Sequence, residues 1–353
     1  MRELLAALVA AKSLSGNEGP AAEVVATAAA DAGFDVKRSG NNVWFEFGNG
    51  GPRLLLHSHI DTVTPCGGWT SDPWTPVIAG DRLIGIGAND AKGCVCAMLS
   101  ACILLAGRIE HVSGTVVAAF TAEEETGGQD GILSVLPLLG AFDAAVFGEP
   151  TDLAPCNAQG GMLLLKCRAG GDAGHVANAQ ALALQNAIHT AAGDINRLAA
   201  LSFPAYEGGH AASVQVTTIS GGVSANQVPD LCEFQVDLRT TPNLDHAVLL
   251  EQIRALIQSD VECASQRYKP VSTDADHPIV KAAVRASRRA PFYSPTVSDW
   301  SLAGGIPAVK FGPGSSARSH TPNEYILLDE LAEGAVVYES LVKAYFREYN
   351  DVR

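Results

Sequence analysis

Five short segments, far apart in the chain, each carry a side chain able to hold a metal ion. They are His59 in LLLHSHIDTV, Asp90 in GIGANDAKG, the run Glu123, Glu124 and Glu125 in TAEEETGG, Glu149 in VFGEPT and His320 in RSHTPNEY. Two imidazoles and three carboxylate positions suit a pair of hard-to-borderline divalent cations, with one carboxylate to spare for moving a proton. Each segment ends or follows an apolar, β-rich run, and in an open α/β sheet the strand ends are where side chains enter a ligand crevice. The chemistry such a set performs is hydrolysis.

Taken singly, each segment has a second reading. Asp61 stands two residues beyond His59, on the same side of an extended chain, and can hold the second imidazole nitrogen. A buried histidine followed by an aspartate in a turn fits the same residues. His57 shares the spacing but lies deeper in the strand, as packing or as a neighbour of the site. Asp90 precedes a helix start, where a carboxylate either caps the helix or bridges two cations with its two oxygens. Lys92 balances charge there or sits on the surface. Three adjacent glutamates crowd like charge, which a solvated loop tolerates. Beside metal ions one would ligate and a neighbour take a proton, an assignment that their order alone leaves open. Pro150 ends the strand carrying Glu149, and His320 follows a GPGSS loop.

The elements around these segments alternate. EGPAAEVVATAAADAGF reads as a helix closed by Gly33, NNVWFEF and RLLLHSH as strands, AKGCVCAMLSACILLAG as a buried helix, and GTVVAAFTA and DAAVFGEP as strands. This order predicts an α/β fold with a mainly parallel sheet sandwiched by helices. From MLLLKCRAG to VECASQRY the pattern becomes β-α-β-β-α-β, with NAQALALQNAIHTAAGDINRLAAL as a long helix, the split arrangement of a ferredoxin-like unit. Helix–strand alternation resumes with HPIVKAAVRASRRA, PAVKFGPG and a C-terminal helix. The expected organisation is a catalytic domain of residues 1–160 and 274–353, with residues 161–273 inserted as a lid or dimerisation domain.

A chain of 353 residues favours two domains, and its formal net charge of −14 argues against an extended nucleic-acid surface. The eight cysteines lie mostly in apolar runs with no CxxC pair, which fits reduced thiols in a cytoplasmic protein. MRELLAALVAAKSLSG has Leu4, Leu5, Leu8 and Val9 at helical spacing and reads as an amphipathic helix, not a leader. The longest apolar stretch is too short for a bilayer span of about 20 residues, so no membrane partner is expected.

At the five segments the chain resembles the zinc-dependent amidohydrolase family of acetylornithine deacetylase, succinyl-diaminopimelate desuccinylase, aminoacylase and glutamate carboxypeptidase. The resemblance extends to AGH, SANQVP and DLRTTP in the inserted region. It implies two divalent ions, zinc with cobalt or manganese as alternatives. His59, Asp90 and Glu149 would hold one, and Asp90, Glu125 and His320 the other. Gly127 sets the register of the acidic run, making Glu124 the general base, and Asp61 is the carboxylate behind His59. His175 would steady the oxyanion from a neighbouring subunit of a homodimer, although AGHVANAQ departs from the family's AHSS pattern. Asn226 and Arg239 would bind the substrate carboxylate. The implied substrate is a small N-acyl amino acid, with an N-acetylornithine-like compound of arginine biosynthesis first. A succinylated amino acid (with Arg318 as an extra cation), a carrier-linked lysine or ornithine, and a small di- or tripeptide are alternatives. A non-catalytic binding module would have lost a ligand or the base, and none is missing.

Overall fold

The computed structural model describes residues 1–107 and 113–351. The chain divides into two compact units. The first comprises Met1–Asn157, Ser272–Phe292 and Ser298–Arg353. At its centre four strands lie side by side in the order Thr115–Thr121, Arg53–His59, Ala144–Gly148 and Ala308–Lys310, all parallel. Asn42–Gly48 and then Lys37–Ser39 continue the sheet antiparallel beyond Thr115–Thr121. The centre is therefore parallel, as the alternation predicts, while this flank is not. Thr115–Thr121 and Ala144–Gly148 are buried at every residue, as strands covered on both faces must be.

The helix Lys92–Ala106 is apolar nearly all round and is buried from Lys92 through Leu99. It packs against the long helix Leu328–Asp351, which also meets Pro278–Ser287. The helix Arg2–Ala10 buries Leu5, Leu8 and Val9. A short sheet of Val77–Ala79, Arg82–Ile84 and Tyr325–Leu327 completes the unit. All eight cysteines are free thiols, six of them buried. Among the described residues no helix is long and apolar enough to cross a membrane.

The second unit comprises Ala158–Val271 and the short return Tyr293–Val297, which the sequence did not suggest. Its strands Ser213–Gly221, Leu231–Thr240, Gly161–Gly170 and Asp260–Tyr268 form an antiparallel sheet in that spatial order. The helices Ala187–Ala199 and His246–Leu256 share one apolar core with it. The long helix expected from Asn178 onward starts only at Ala187. Asn186 is extended and its side chain accepts from the amides of Ile188 and His189, while the Gln185 amide donates to Asp172. A strong N-cap thus outweighs the apolar run before it.

Candidate metal centre and active site

The parallel strands end at one edge of the sheet, and the chemistry-bearing residues follow those ends. His59 closes its strand opposite Thr121, Glu123 to Glu125 follow Thr121, and Glu149 follows Gly148. His320 lies in the segment after Ala308–Lys310. Asp90 comes from the loop that starts the helix at Lys92, next to a cis Asp90–Ala91 peptide.

His59 is buried with its two nitrogens facing different groups. Nδ1 lies 3.3 Å from the Asp61 carboxylate, and Nε2 lies 3.3 Å from Asp90 Oδ1 and 3.9 Å from Glu149 Oε1. The Asp61 contact favours the tautomer with its proton on Nδ1, leaving the Nε2 lone pair directed at the acidic cluster. Asp90 presents its other oxygen to the second imidazole, with Oδ2 3.8 Å from His320 Nε2. His320 Nε2 is also 3.1 Å from Glu125. One carboxylate therefore faces a different histidine with each oxygen.

Asp61 organises this region further. Its carboxylate is fully buried and accepts from the Ser15 hydroxyl at 2.7 Å and from the Glu124 and Glu125 amides at 3.1 Å each. The acidic run is sorted by its backbone. Glu123 adopts a left-handed φ of 59°, and its side chain accepts from the Asp130 amide. That leaves Glu124 and Glu125 for the cluster.

The cluster is costly without compensating charge. Burial, opposed by His59 but reinforced by neighbouring carboxylates, raises Glu124 well above the ordinary range, and burial with Asp90 nearby pushes Glu149 up to about 8. Burial also disfavours the charged His59 ring. Hydrogen bonds to Asp61 and Asp90 and the charges of Glu124 and Glu149 outweigh it and raise its pKa well above the usual value. The His320 pKa rises to about 9 through its bond to Glu125. Crowded carboxylates and imidazoles that favour charge are what divalent cations relieve. Two groups, His59 with Glu124 and Glu149, and His59 with Asp90 and Glu125, have ligand atoms all within 4.8 Å of one another and could hold a metal ion.

The remaining candidates lie in the second unit. His175 stands opposite Gln227 in a two-residue antiparallel pairing, and its Nδ1 accepts from the Ala177 amide. His175 and Asn226 line one shallow cavity of about 380 Å³. Arg239 is not among the residues lining it and is held by the Asp237 carboxylate at 2.8 and 3.1 Å.

Arg318 donates to both oxygens of Glu330 at 2.6 and 2.9 Å and lies over the Tyr325 ring, so its fork is already engaged. Lys92 is fully buried, not at the surface, and donates to the Leu8 and Ala11 carbonyls at the C-terminal end of the first helix. His57 is buried between Thr121 and Asp299. Sequence reasoning gave no role to Ser15, Asn89 or Glu324. The side chain of Glu324 accepts from the Asn89 and Asp90 amides at 2.9 Å, and that of Asn89 bonds Ser315. Their only sequence signal was their place inside the quoted motifs.

Known proteins share this arrangement's framework. The chain is 32% identical over 273 residues to a succinyl-diaminopimelate desuccinylase of Stenotrophomonas maltophilia, covering 72% of each chain. An N-acetyl-L-citrulline deacetylase of Xanthomonas campestris is 28% identical over 305 residues, covering 80% of this chain and 79% of the relative. The fold matches a dinuclear metal-binding peptidase of Bacillus subtilis with a TM-score of 0.76 at 17% identity, over 97% of this chain and 96% of that one. The profile of peptidase family M20/M25/M40 matches residues 55–344, from the strand that delivers His59 to the C-terminal helix. With that span covered, the chain belongs to peptidase family M20/M25/M40 and is a hydrolase acting on amide bonds.

Proposed function

We propose that the protein removes the acyl group from a small N-acyl amino acid, using two divalent cations. One would be held by His59, Asp90 and Glu149, and the other by Asp90, Glu125 and His320. The observation that carries the proposal is the split presentation of Asp90, one oxygen toward His59 and the other toward His320. When bound, the cations supply a water acidic enough to ionise near neutral pH and polarise the amide carbonyl.

Glu124 is the base in this reading. It lies beside His59 and Glu149, and once cations relieve the crowding of the carboxylates it is placed to take a proton from water and return it to the leaving amine. Asp61 keeps His59 in the productive tautomer. His175, from a second copy of the chain, would stabilise the oxyanion, and Asn226 with Arg239 would bind the substrate carboxylate.

The curated relatives support acetyl and succinyl substrates alike, since one is named a desuccinylase and the other a deacetylase. The test pairs rates with metal content. Glu124→Ala should lower kcat on the preferred substrate by about 10²- to 10⁴-fold while the protein still takes up its full zinc complement. Loss of zinc in step with activity would make Glu124 a ligand and overturn its assignment as base. Rates on N-acetylornithine, N-acetylcitrulline, N-succinylornithine and N-succinyl-diaminopimelate, measured side by side, decide the acyl group.

A further inference from the structure

Two polar side chains outside the ligand set join the segments that carry Asp90 and His320, and they do so in both directions. From the Asp90 side, the Asn89 amide group donates to the Ser315 carbonyl at 3.0 Å and to the Ser319 hydroxyl at 3.3 Å. Its carbonyl oxygen accepts from the Ser315 amide at 3.0 Å. From the His320 side, buried Glu324 accepts the Asn89 and Asp90 amides at 2.9 Å each.

The fit is close. Gly314 has a φ of 84°, and a Cβ there would run into the Asn89 side-chain oxygen. His320 has a left-handed φ of 59°, a conformation that a non-glycine residue keeps only when its surroundings impose it. We infer that Asn89 and Glu324 are positioning residues: together they latch the 312–324 segment onto the Asp90 loop and set the separation of His320 from the bridging carboxylate. The latch thereby determines the affinity of the second cation site. This rests on the two-cation reading above.

The two halves of the latch act on different parts. Asn89 holds only the His320 segment, so its loss should spare the site built on His59 and Glu149. Glu324 holds the amide of Asp90 itself, which both sites share. The full chain, stripped with a chelator and titrated with Zn²⁺ by calorimetry, separates these roles. Wild type should take up two equivalents.

Asn89→Ala should bind one equivalent as wild type does and the second about 10- to 100-fold more weakly, the usual cost of losing a supporting hydrogen bond. Gly314→Ala, which pushes the loop off Asn89 from the other side, should do the same and covers the case in which Asn89→Ala fails to fold. Glu324→Ala should weaken both equivalents. Glu324→Gln, which keeps an acceptor oxygen for both amides but not its charge, should recover part of this loss and bind both equivalents more tightly than Glu324→Ala does. Wild-type affinity for both equivalents in Asn89→Ala and Gly314→Ala overturns the latch while leaving the two-cation reading intact. A wild-type protein that binds fewer than two equivalents overturns both.

Discussion

Replacing Asp61 by asparagine changes one atom and tests whether the acidic loop and His59 are held by a single buried charge. In the native side chain Oδ2 accepts from the Ser15 hydroxyl and the Glu125 amide, and Oδ1 accepts from the Glu124 amide beside His59 Nδ1. An asparagine must put NH₂ on one of these sides. Placed toward Oδ1, it would meet the Glu124 N–H and force the His59 proton onto Nε2, turning the lone pair away from the cluster. Placed toward Oδ2, it leaves the Glu125 N–H facing another donor, while the Ser15 hydroxyl can rotate to accept.

The second arrangement is the cheaper, and its cost can be worked out. One buried amide left unpaired costs about 1–3 kcal/mol, and the two contacts that remain on Oδ1 each fall from charge-assisted to neutral strength, about 1 kcal/mol apiece. The sum is about 3–5 kcal/mol, divided between stability and metal affinity according to how far the loop relaxes. Urea unfolding of the metal-free protein should show part of this loss. Competition with a chromogenic chelator should show zinc bound about 10- to 100-fold more weakly. Ser15→Ala removes only one contact and should have a smaller effect on both. If Asp61→Asn keeps zinc affinity and kcat/KM within about threefold of wild type, the reasoning fails, because neither the tautomer of His59 nor the acidic loop then depends on this charge.

Two further substitutions probe groups outside the cluster. Asp194 is buried in the second unit and accepts from the Gln258 and Ser259 amides, the Ser259 hydroxyl and Arg197; despite the desolvation that opposes it, these bonds lower its pKa. A carboxylate whose folded pKa is depressed stabilises the fold fully above its unfolded pKa of about 3.9 and loses that contribution as pH falls through the lower folded value. Asp194→Ala leaves the Gln258 and Ser259 amides unpaired and should therefore cost about 1–3 kcal/mol or more in neutral urea unfolding, with the gap to wild type narrowing below about pH 4; a gap independent of pH refutes the assignment. Arg318 is committed to Glu330, so Arg318→Gln should change the ratio of kcat/KM for succinylated over acetylated substrate by less than about threefold, whereas a tenfold fall confined to the succinylated substrate would show the fork reaching the acyl group.

What could be read from the sequence follows from which residues have few substitutes. Central strands buried on both faces must be continuous apolar runs, so LLLHSH, VVAAFT and AAVFGEP announce themselves, and so do the polar residues that break those runs at the strand ends. Metal-ligand chemistry admits only a few side chains, which made His59, Asp90, Glu149 and His320 conspicuous. The roles of Glu124 and Glu125 needed the resemblance, because the left-handed turn that sends Glu123 to Asp130 has no signature in a run of identical residues. Asn89, Glu324 and Ser15 were illegible for a different reason. Their task is to satisfy backbone amides, hydroxyls and carboxylates of other loops, and any polar residue in a loop looks suited to that until its partner is known. Asn89 meets Ser315 and Glu324 meets Asp90 across more than 200 residues of chain, so no local pattern could reveal either pair. The same fact sets where damage will fall. The ligand-bearing loops are joined chiefly to one another through polar bonds at the end of the sheet, while the apolar core lies among the strands and helices behind them. Substitutions in those bonds should therefore change cation affinity before they change the fold, whereas substitutions in the core should do the reverse.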